Sequence, residues 1–461
     1  MNFSERFERV FRAVLPAPFT IAVVLTLLTI LLALVFTQPP SDQHHFLQVL
    51  EYWQQGLWSA PLLVFAVQMM LILVLGHVLA LSPAASRLID RLTNQMDSPA
   101  KAAWLVTLAT LLVAFFNWGI GLIFGAIIAR KTGERFAMQG KALNYPLIGA
   151  AGYSGLMVWH GGISGSAPVK VVEQGHITTL MQGVLPDEQL SSLPNRIPFN
   201  ETVFSPMNLT VSALLLIILP LLMAWLMKRS KPGKIELKVK TVKTEIRTEK
   251  LSGAERLDHS RIFCLFFALL ILGYGFLIPF QPDSFSFNFL TPNYINLILL
   301  GLALLFHGSF ARFLAAVDEA IGGASGILIQ FPLYFGIMGI MKYSGLVSEI
   351  STFFISISTP ATFPIFTFMS AGLVNIFVPS GGGQWSIQGP ILIQAAQQLG
   401  VPEPKCIMAM AYGDQLTNML QPFWALPLLG ITGLKAREII PYTLFLLLAG
   451  LVLFVGILLI F

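Results

Sequence analysis

Residues 101–129 read KAAWLVTLATLLVAFFNWGIGLIFGAIIA, and their length decides how the chain lies in space. As helix the stretch would measure about 43 Å, whereas one bilayer crossing takes about 30 Å and two take about 60 Å. Lys101 opens it and Arg130, Lys131, Arg135 and Lys141 follow it, so both ends carry positive charge. In its middle Asn117-Trp118-Gly119-Ile120-Gly121 interrupts the helical pattern. An apolar stretch too long for one crossing, too short for two, and basic at both ends fits a re-entrant hairpin. The tip of such a hairpin must be buried in protein or line a wet cavity, because lipid cannot satisfy irregular backbone.

The rest of the chain agrees with a membrane setting. Of 461 residues 55% are hydrophobic and 11% charged, against about 25% charged in soluble proteins. With a mean hydropathy of +0.74 too little polar surface remains to cover a soluble core, which excludes a soluble enzyme, a disordered chain and a nucleic-acid binder. Further apolar runs occur at about 19–37, 60–81, 142–172, 207–227, 262–281, 293–307, 320–345, 405–434 and 439–461. The first is too long for a signal-peptide core and reads as a retained span. Ahead of it Arg6, Arg9 and Arg12 oppose Phe3, Phe7, Val10 and Phe11, the pattern of an interfacial helix. Eleven of the 28 Lys and Arg residues fall between Lys228 and Arg261, which places that linker and the N-terminus in the cytoplasm. Glu173–Phe204, with one arginine against Asp187, Glu188 and Glu201, belongs on the other side. Cys264 and Cys406 read as small buried hydrophobes without a disulfide.

The hairpin pattern recurs about 260 residues later. Ser98-Pro99-Ala100 is echoed by Thr359-Pro360-Ala361, Val113 by Val374, Gln68 by Gln330, and the first tip by Pro379-Ser380-Gly381-Gly382-Gly383. Tyr153 and Pro168 are echoed by Tyr412 and Pro427 at the same spacing of fifteen residues. Five crossings separate the two copies, so the copies should lie antiparallel, as inverted repeats in secondary transporters do. The expected fold is therefore an all-α polytopic membrane protein with two inverted repeats, 1–227 and 262–461, joined by the basic linker 228–261. Each repeat holds one hairpin (about 101–129 and 361–399) and one broken helix (about 142–172 and 405–434).

Four interruptions, the two tips and the two broken helices, free backbone N–H and C=O groups at membrane depth. Freed N–H groups at helix N-termini attract a carboxylate, and freed carbonyls attract a cation. The candidate substrate-binding residues are Asn117, Gly119 and Gly121 of the first tip, with His160, Ser164, Gly165 and Ser166 of the first broken helix. Ser380, Gly381, Gly382, Gly383 and Gln384 of the second tip complete the set. Asp414 is the acid in a broken apolar helix, where a carboxylate costs at least about 2.5–3.5 kcal/mol and marks a wet path or an ion site. With Asn375, Thr417 and Asn418 it forms the candidate ion-coupling group. No metal site is expected beyond Na⁺, and no cofactor. No arginine or lysine lies within the interruptions, which suits a small monoanion better than a dianion. Gly162-Ile163-Ser164-Gly165 also spells a short motif of intramembrane serine hydrolases, so Ser164 as a nucleophile is a rival reading.

The runs Val378-Pro-Ser-Gly-Gly-Gly-Gln-Trp385, Ile387-Gln-Gly-Pro390, Ser164-Gly-Ser-Ala-Pro168, Tyr412-Gly-Asp414, Gln421-Pro-Phe-Trp-Ala-Leu-Pro427 and Gly326-Ile-Leu-Ile-Gln-Phe-Pro332 are long and unusual. On them the chain resembles the bacterial short-chain fatty acid transporters, within the ion transporter superfamily of two-hairpin carriers. The resemblance implies uptake of monocarboxylates such as acetoacetate or butyrate coupled to H⁺ or Na⁺, with a carrier for dicarboxylates or another organic anion as the alternative. It also implies the bacterial inner membrane and, by analogy with the wider superfamily, a homodimer.

Overall fold

In the computed structural model the described residues are 17–38, 44–83, 87, 91–181, 187–190, 193–230, 253–280, 289 and 291–461. The expected interfacial helix at the N-terminus and most of the basic linker lie outside them. Among the described residues the chain is helical with no strand, and seven helical runs are long and apolar enough to cross a bilayer. The protein is an all-α multi-pass membrane protein.

The helices run in order as α1 (Pro18–Phe36), α2 (His45–Leu57), α3 (Ala60–Leu81), α4 (Pro99–Phe116), α5 (Trp118–Met138), α6 (Tyr145–Tyr153), α7 (Ser166–Val172), α8 (His176–Met181) and α9 (Pro206–Arg229). After the linker come α10 (Arg261–Leu277), α11 (Pro292–His307), α12 (Phe310–Ala320), α13 (Ser325–Tyr343), α14 (Leu346–Ser356), α15 (Phe363–Phe377), α16 (Gly381–Leu399), α17 (Glu403–Thr417), α18 (Pro422–Thr432) and α19 (Ala436–Ile460). Single turns of helix at Asp187–Leu190 and Glu255–Asp258 lie between some of these. The succession α3-α4-α5-α6-α7-α9 recurs as α13-α15-α16-α17-α18-α19, each time with a 3₁₀ turn inside the broken helix: Ser154–Met157 and Asn418–Leu420.

Local chemistry sets the breaks. Asn117 alone is non-helical between α4 and α5, at φ −150° and ψ 123°; its Oδ1 accepts the N–H of Ile120 and so starts the next helix. The glycines read as the first tip thus form the opening turn of α5. In the second hairpin Val378–Ser380 are non-helical, with Ser380 extended, and Ser380 Oγ accepts the N–H of Gly383 to start α16. The first broken helix is interrupted more widely than the second. Val158–Gly165 have no helix between the 3₁₀ turn and α7, whereas only the 3₁₀ turn and extended Gln421 separate α17 from α18. Proline at the first position of α18 needs no N–H partner there, which makes the shorter break sufficient.

Two bounds differ from expectation. Pro99–Phe116 is by itself long enough to span, and α5 continues nine residues past Ala129 to Met138. Its basic residues therefore sit inside the helix, where Arg130 and Lys131 both pair with Glu134, at 2.9 and 3.2 Å. Amphipathic α2, between the first two spans, packs along α13.

Each hairpin packs on its broken helix where a glycine lets the two backbones meet. A Cβ on Gly125 of α5 would stand 2.0 Å from the carbonyl of Gly152 in α6, and one on Gly413 of α17 would stand 2.1 Å from the carbonyl of Phe368 in α15. Only glycine permits such approach. Further bonds tie the two halves of the chain together. Tyr153 Oη donates to Asn418 O at 3.0 Å, Tyr145 Oη to Thr432 O at 2.9 Å, and Asn144 Nδ2 to Tyr442 Oη at 2.7 Å.

Candidate functional site

The four interruptions meet. Ser164 Oγ accepts the N–H of Trp118 at 3.0 Å, and Ile163 N–H donates to Phe115 O at 2.9 Å, so the first broken helix wraps the first hairpin tip. From that same break His160 reaches across to α17. Its Nδ1 lies 2.7 Å from Asp414 Oδ2, and both side chains are buried. The N–H of Ala167 donates to His160 Nε2 at 3.1 Å, which leaves the neutral ring its proton on Nδ1, facing the carboxylate.

The second hairpin tip closes on this pair. A Cβ on Gly381 would stand 2.8 Å from Trp159 Cη2, 2.9 Å from His160 Cε1 and 3.0 Å from Asp414 Oδ2. One residue on, the corresponding position at Gly382 is 4.0 Å from Ser166 Oγ. The N-terminus of α16, with its unbonded N–H groups and partial positive charge, is thus brought against Asp414. Trp118, Trp159 and Trp424 form an aromatic wall, with Trp118 edge-on to the other two at centroid distances of 6.1 and 5.3 Å.

Asp414 is the one buried Asp or Glu among the described residues, and no lysine or arginine among them is buried. Apart from the close approach of His160 Nδ1, neither of its oxygens has a hydrogen-bond donor in the protein. Nearby buried polar atoms share this state: Asn117 Nδ2, Trp159 Nε1, Asn375 Oδ1, Asn418 Nδ2 and Gln421 Oε1 have no protein partner.

The expected ion group assembles, but around an amide. Asn375 Nδ2 donates to Asp414 O at 2.8 Å, Asn418 Oδ1 at 2.9 Å and Thr417 Oγ1 at 3.0 Å. The backbone carbonyl of Asp414 orients the Asn375 amide nitrogen, whose two N–H groups are shared among the three acceptors. The oxygens of Thr417 and Asn418 therefore converge on N–H donors.

Other expected residues face elsewhere. Gln384 is buried within its hairpin, its Nε2 donating to Ala371 O at 2.9 Å and Gln388 Oε1 at 2.7 Å. The Cβ direction of Gly121 points at Ala114 within the first hairpin, and that of Gly119 at Ile295 of α11. Gly165 closes a tight turn against the carbonyl of His160. Gly383 donates to Ser380, so both serve the start of α16. Ser164 has no histidine at hand as a base, since its oxygen receives Trp118 and the one histidine of its break is held by Ala167 and Asp414. Among the described residues no three His, Cys, Asp or Glu side chains form a metal site.

Several site residues escape the sequence reading. Gln415 Oε1 accepts the N–H groups of both His160 and Gly161 at 3.1 Å. Asn208 of α9 donates to Gly161 O at 2.8 Å and receives Tyr412 Oη at 3.0 Å. Gln421 donates to Asn375 O. Gln415 and Gln421 lie beside residues already singled out, and their neutral polarity in an apolar run was the available signal. Asn208, at the start of a distant span, offered none.

The chain matches the family described as short chain fatty acid transporter over residues 2–460. A protein of Escherichia coli (strain K12) named "Putative short-chain fatty acid transporter" is 37% identical over 446 residues, covering 96% of this chain and 95% of that one. A protein of the same name from Haemophilus influenzae is 36% identical, covering 93% and 92%. Among solved structures, MtrF of Neisseria gonorrhoeae, described as illuminating a class of antimetabolite efflux pumps, is similar at 14% identity and a TM-score of 0.40, with 97% of each chain covered. The YdaH transporter of Alcanivorax borkumensis is similar at 15% identity and a TM-score of 0.42, covering 95% of this chain and 97% of its own. At these scores neither structural likeness carries weight. Matched along nearly its whole length, the chain belongs to the short-chain fatty acid transporter family and is a membrane transporter, not an enzyme.

Proposed function

We propose that the protein takes up short monocarboxylates of the acetoacetate and butyrate kind by alternating access, driven by H⁺ carried on the Asp414–His160 pair. The observation that carries this reading is a buried carboxylate whose one close polar neighbour is the Nδ1 of a neutral histidine, beside the N-terminus of α16. When Asp414 is ionised it occupies that positive helix end itself. When Asp414 takes a proton, the N–H groups of Gly381 and Gly382 are free for the cargo carboxylate, so proton and anion bind together. The tryptophan wall suits a short alkyl chain, and the lack of Lys and Arg in the interruptions gives a second carboxylate no partner. Na⁺ is the weaker candidate, because Thr417 and Asn418 turn their oxygens to the Asn375 amide.

The proposal includes two antiparallel repeats, a cytoplasmic N-terminus, the bacterial inner membrane and a homodimer. Alkylation of single cysteines tests the topology: position 131 should label from the cytoplasm and position 201 from outside. For the transport reading, purified protein in liposomes should accumulate radiolabelled butyrate under a pH gradient, after the flux into protein-free vesicles is subtracted. Faster uptake of succinate than butyrate, or accumulation driven by Na⁺ alone, would overturn it.

A further inference from the structure

Away from the central site, α3, α5 and α18 frame a small recess, open on one side, lined by His77, Leu81, Arg130, Lys131, Glu134 and Ile431. His77 is 5% exposed, yet neither ring nitrogen has a hydrogen-bond partner. A polar side chain so buried normally finds a partner, since leaving it without one is costly. Arg130 Nε lies 2.9 Å and Lys131 Nζ 3.2 Å from the Glu134 oxygens, and Arg130 Nη1 donates to Ile431 O at 2.7 Å. These contacts use two of the five guanidinium N–H groups and one of the three on the ammonium, so donors remain for a ligand. Two cations against one carboxylate leave the recess a single positive charge, which a monoanion neutralises.

Its place in the fold matters as much as its charge. Lys131 stands ten residues beyond Gly121 on α5, and Ile431 nine residues beyond Pro422 on α18, each about 14–15 Å along the helix axis. Both helices begin at the central site and pack on each other, so the recess lies at the far end of their shared seam. Its enclosed interior is only about 10 Å³, room for one water or one carboxylate oxygen, so the head of a short acid would enter while its alkyl chain stays at the open mouth.

We propose that this recess is a second binding site for the cargo carboxylate, occupied between the central site and the aqueous phase. Arg130 and Lys131 supply the charge and His77 a neutral N–H. The inference rests on the transport reading above and goes beyond it by giving the anion a charged station outside the four interruptions. Two substitutions test it. Lys131→Gln removes one charge, and His77→Leu replaces an unpartnered polar group with an apolar one, which a merely structural histidine would tolerate. The KM for radiolabelled butyrate is measured in right-side-out and in everted membrane vesicles. Either substitution should raise KM fivefold or more in everted vesicles, which present the cytoplasmic face where Lys131 is placed, and less than twofold in right-side-out vesicles; the reverse sidedness overturns the inference. No change, or equal change from both faces, overturns the inference and leaves the transport reading standing. Absence of saturable butyrate flux in the wild type overturns both. Purified wild type and Lys131→Gln are also compared in phosphatidylcholine vesicles with and without phosphatidylglycerol. A sided effect seen only with the anionic lipid would assign the recess to a lipid headgroup and overturn the cargo site.

Discussion

Replacing Asp414 with Asn leaves the shape of the site and removes its one buried acid, so it isolates what the charge does. A cargo carboxylate seated on the first N–H groups of α16 would lie about 5 Å from the Asp414 oxygens, and at an effective dielectric of about 20 two like charges there repel by about 3 kcal/mol. That energy is about a 200-fold difference in cargo affinity between ionised and protonated Asp414. The wild type should therefore show a butyrate KM that rises steeply with pH, by up to that factor once Asp414 has lost its proton. In Asp414→Asn the neutral amide mimics the protonated acid at every pH. KM should stay low and flat, exchange of labelled for unlabelled butyrate should continue, and accumulation driven by a pH gradient should vanish. The assay is counterflow and gradient-driven uptake in proteoliposomes between pH 5.5 and 8.5, corrected with protein-free vesicles. A variant that still accumulates butyrate against its gradient, or keeps the wild-type pH dependence of KM, would refute the coupling scheme.

Three other outcomes follow from contacts described above. Gly381→Ala places a methyl group within 3.0 Å of Trp159, His160 and Asp414, so the second tip cannot seat; maximal uptake should fall by about tenfold or more with little change in thermal unfolding, and unchanged uptake would count against tip closure. Gln415→Leu strands the N–H groups of His160 and Gly161 at about 1–3 kcal/mol each, and should lower the unfolding temperature in detergent, whereas an equally stable variant would show that the break needs no brace. His176, outside the spans, accepts the Trp385 Nε1–H at 3.0 Å, and burial holds its pKa below the ordinary 6.5, with Glu173 opposing and Lys170 adding to the shift. The unfolded chain then binds more protons, so this contact is fully present above pH 6.5 and is lost as pH falls below it. Hydrogen exchange in His176–Met181 should speed up from pH 7 to pH 5 after correction for intrinsic rates, and His176→Gln, which keeps an acceptor, should flatten that dependence; identical profiles would refute the latch.

What could be read from the sequence was whatever acts locally. Glycine and proline inside apolar runs marked both broken helices, because their effect on backbone hydrogen bonds needs no partner. Asp414 stood out for the cost of its charge at membrane depth. The approach of His160 to Asp414 was not legible, since nothing in either segment encodes the other. For the same reason Thr417 and Asn418 read as cation ligands: their spacing fits one turn of helix, but the Asn375 amide that occupies their oxygens comes from another helix. Gln384 sits next to a glycine tip in sequence and turns inward in space, to Ala371 and Gln388. The extension of α5 was hidden because Arg130 and Lys131 read as the polar edge of the membrane until Glu134, one turn on, supplied their counter-charge.

The bond between His160 and Asp414 also sets a schedule for synthesis. The two residues are 254 positions apart, and a ribosome adding about 5–20 residues per second needs about 13–50 s to travel from one to the other. Throughout that interval the N–H groups of His160 and Gly161 lack Gln415, and the hydroxyls of Tyr145 and Tyr153 lack their carbonyls on the later half. The first half of the nascent chain must therefore wait in the bilayer with its polar interior unmatched. A shield is needed for that wait, whether water, lipid headgroups or the insertion machinery, and a chain that ends before residue 403 never gains these partners.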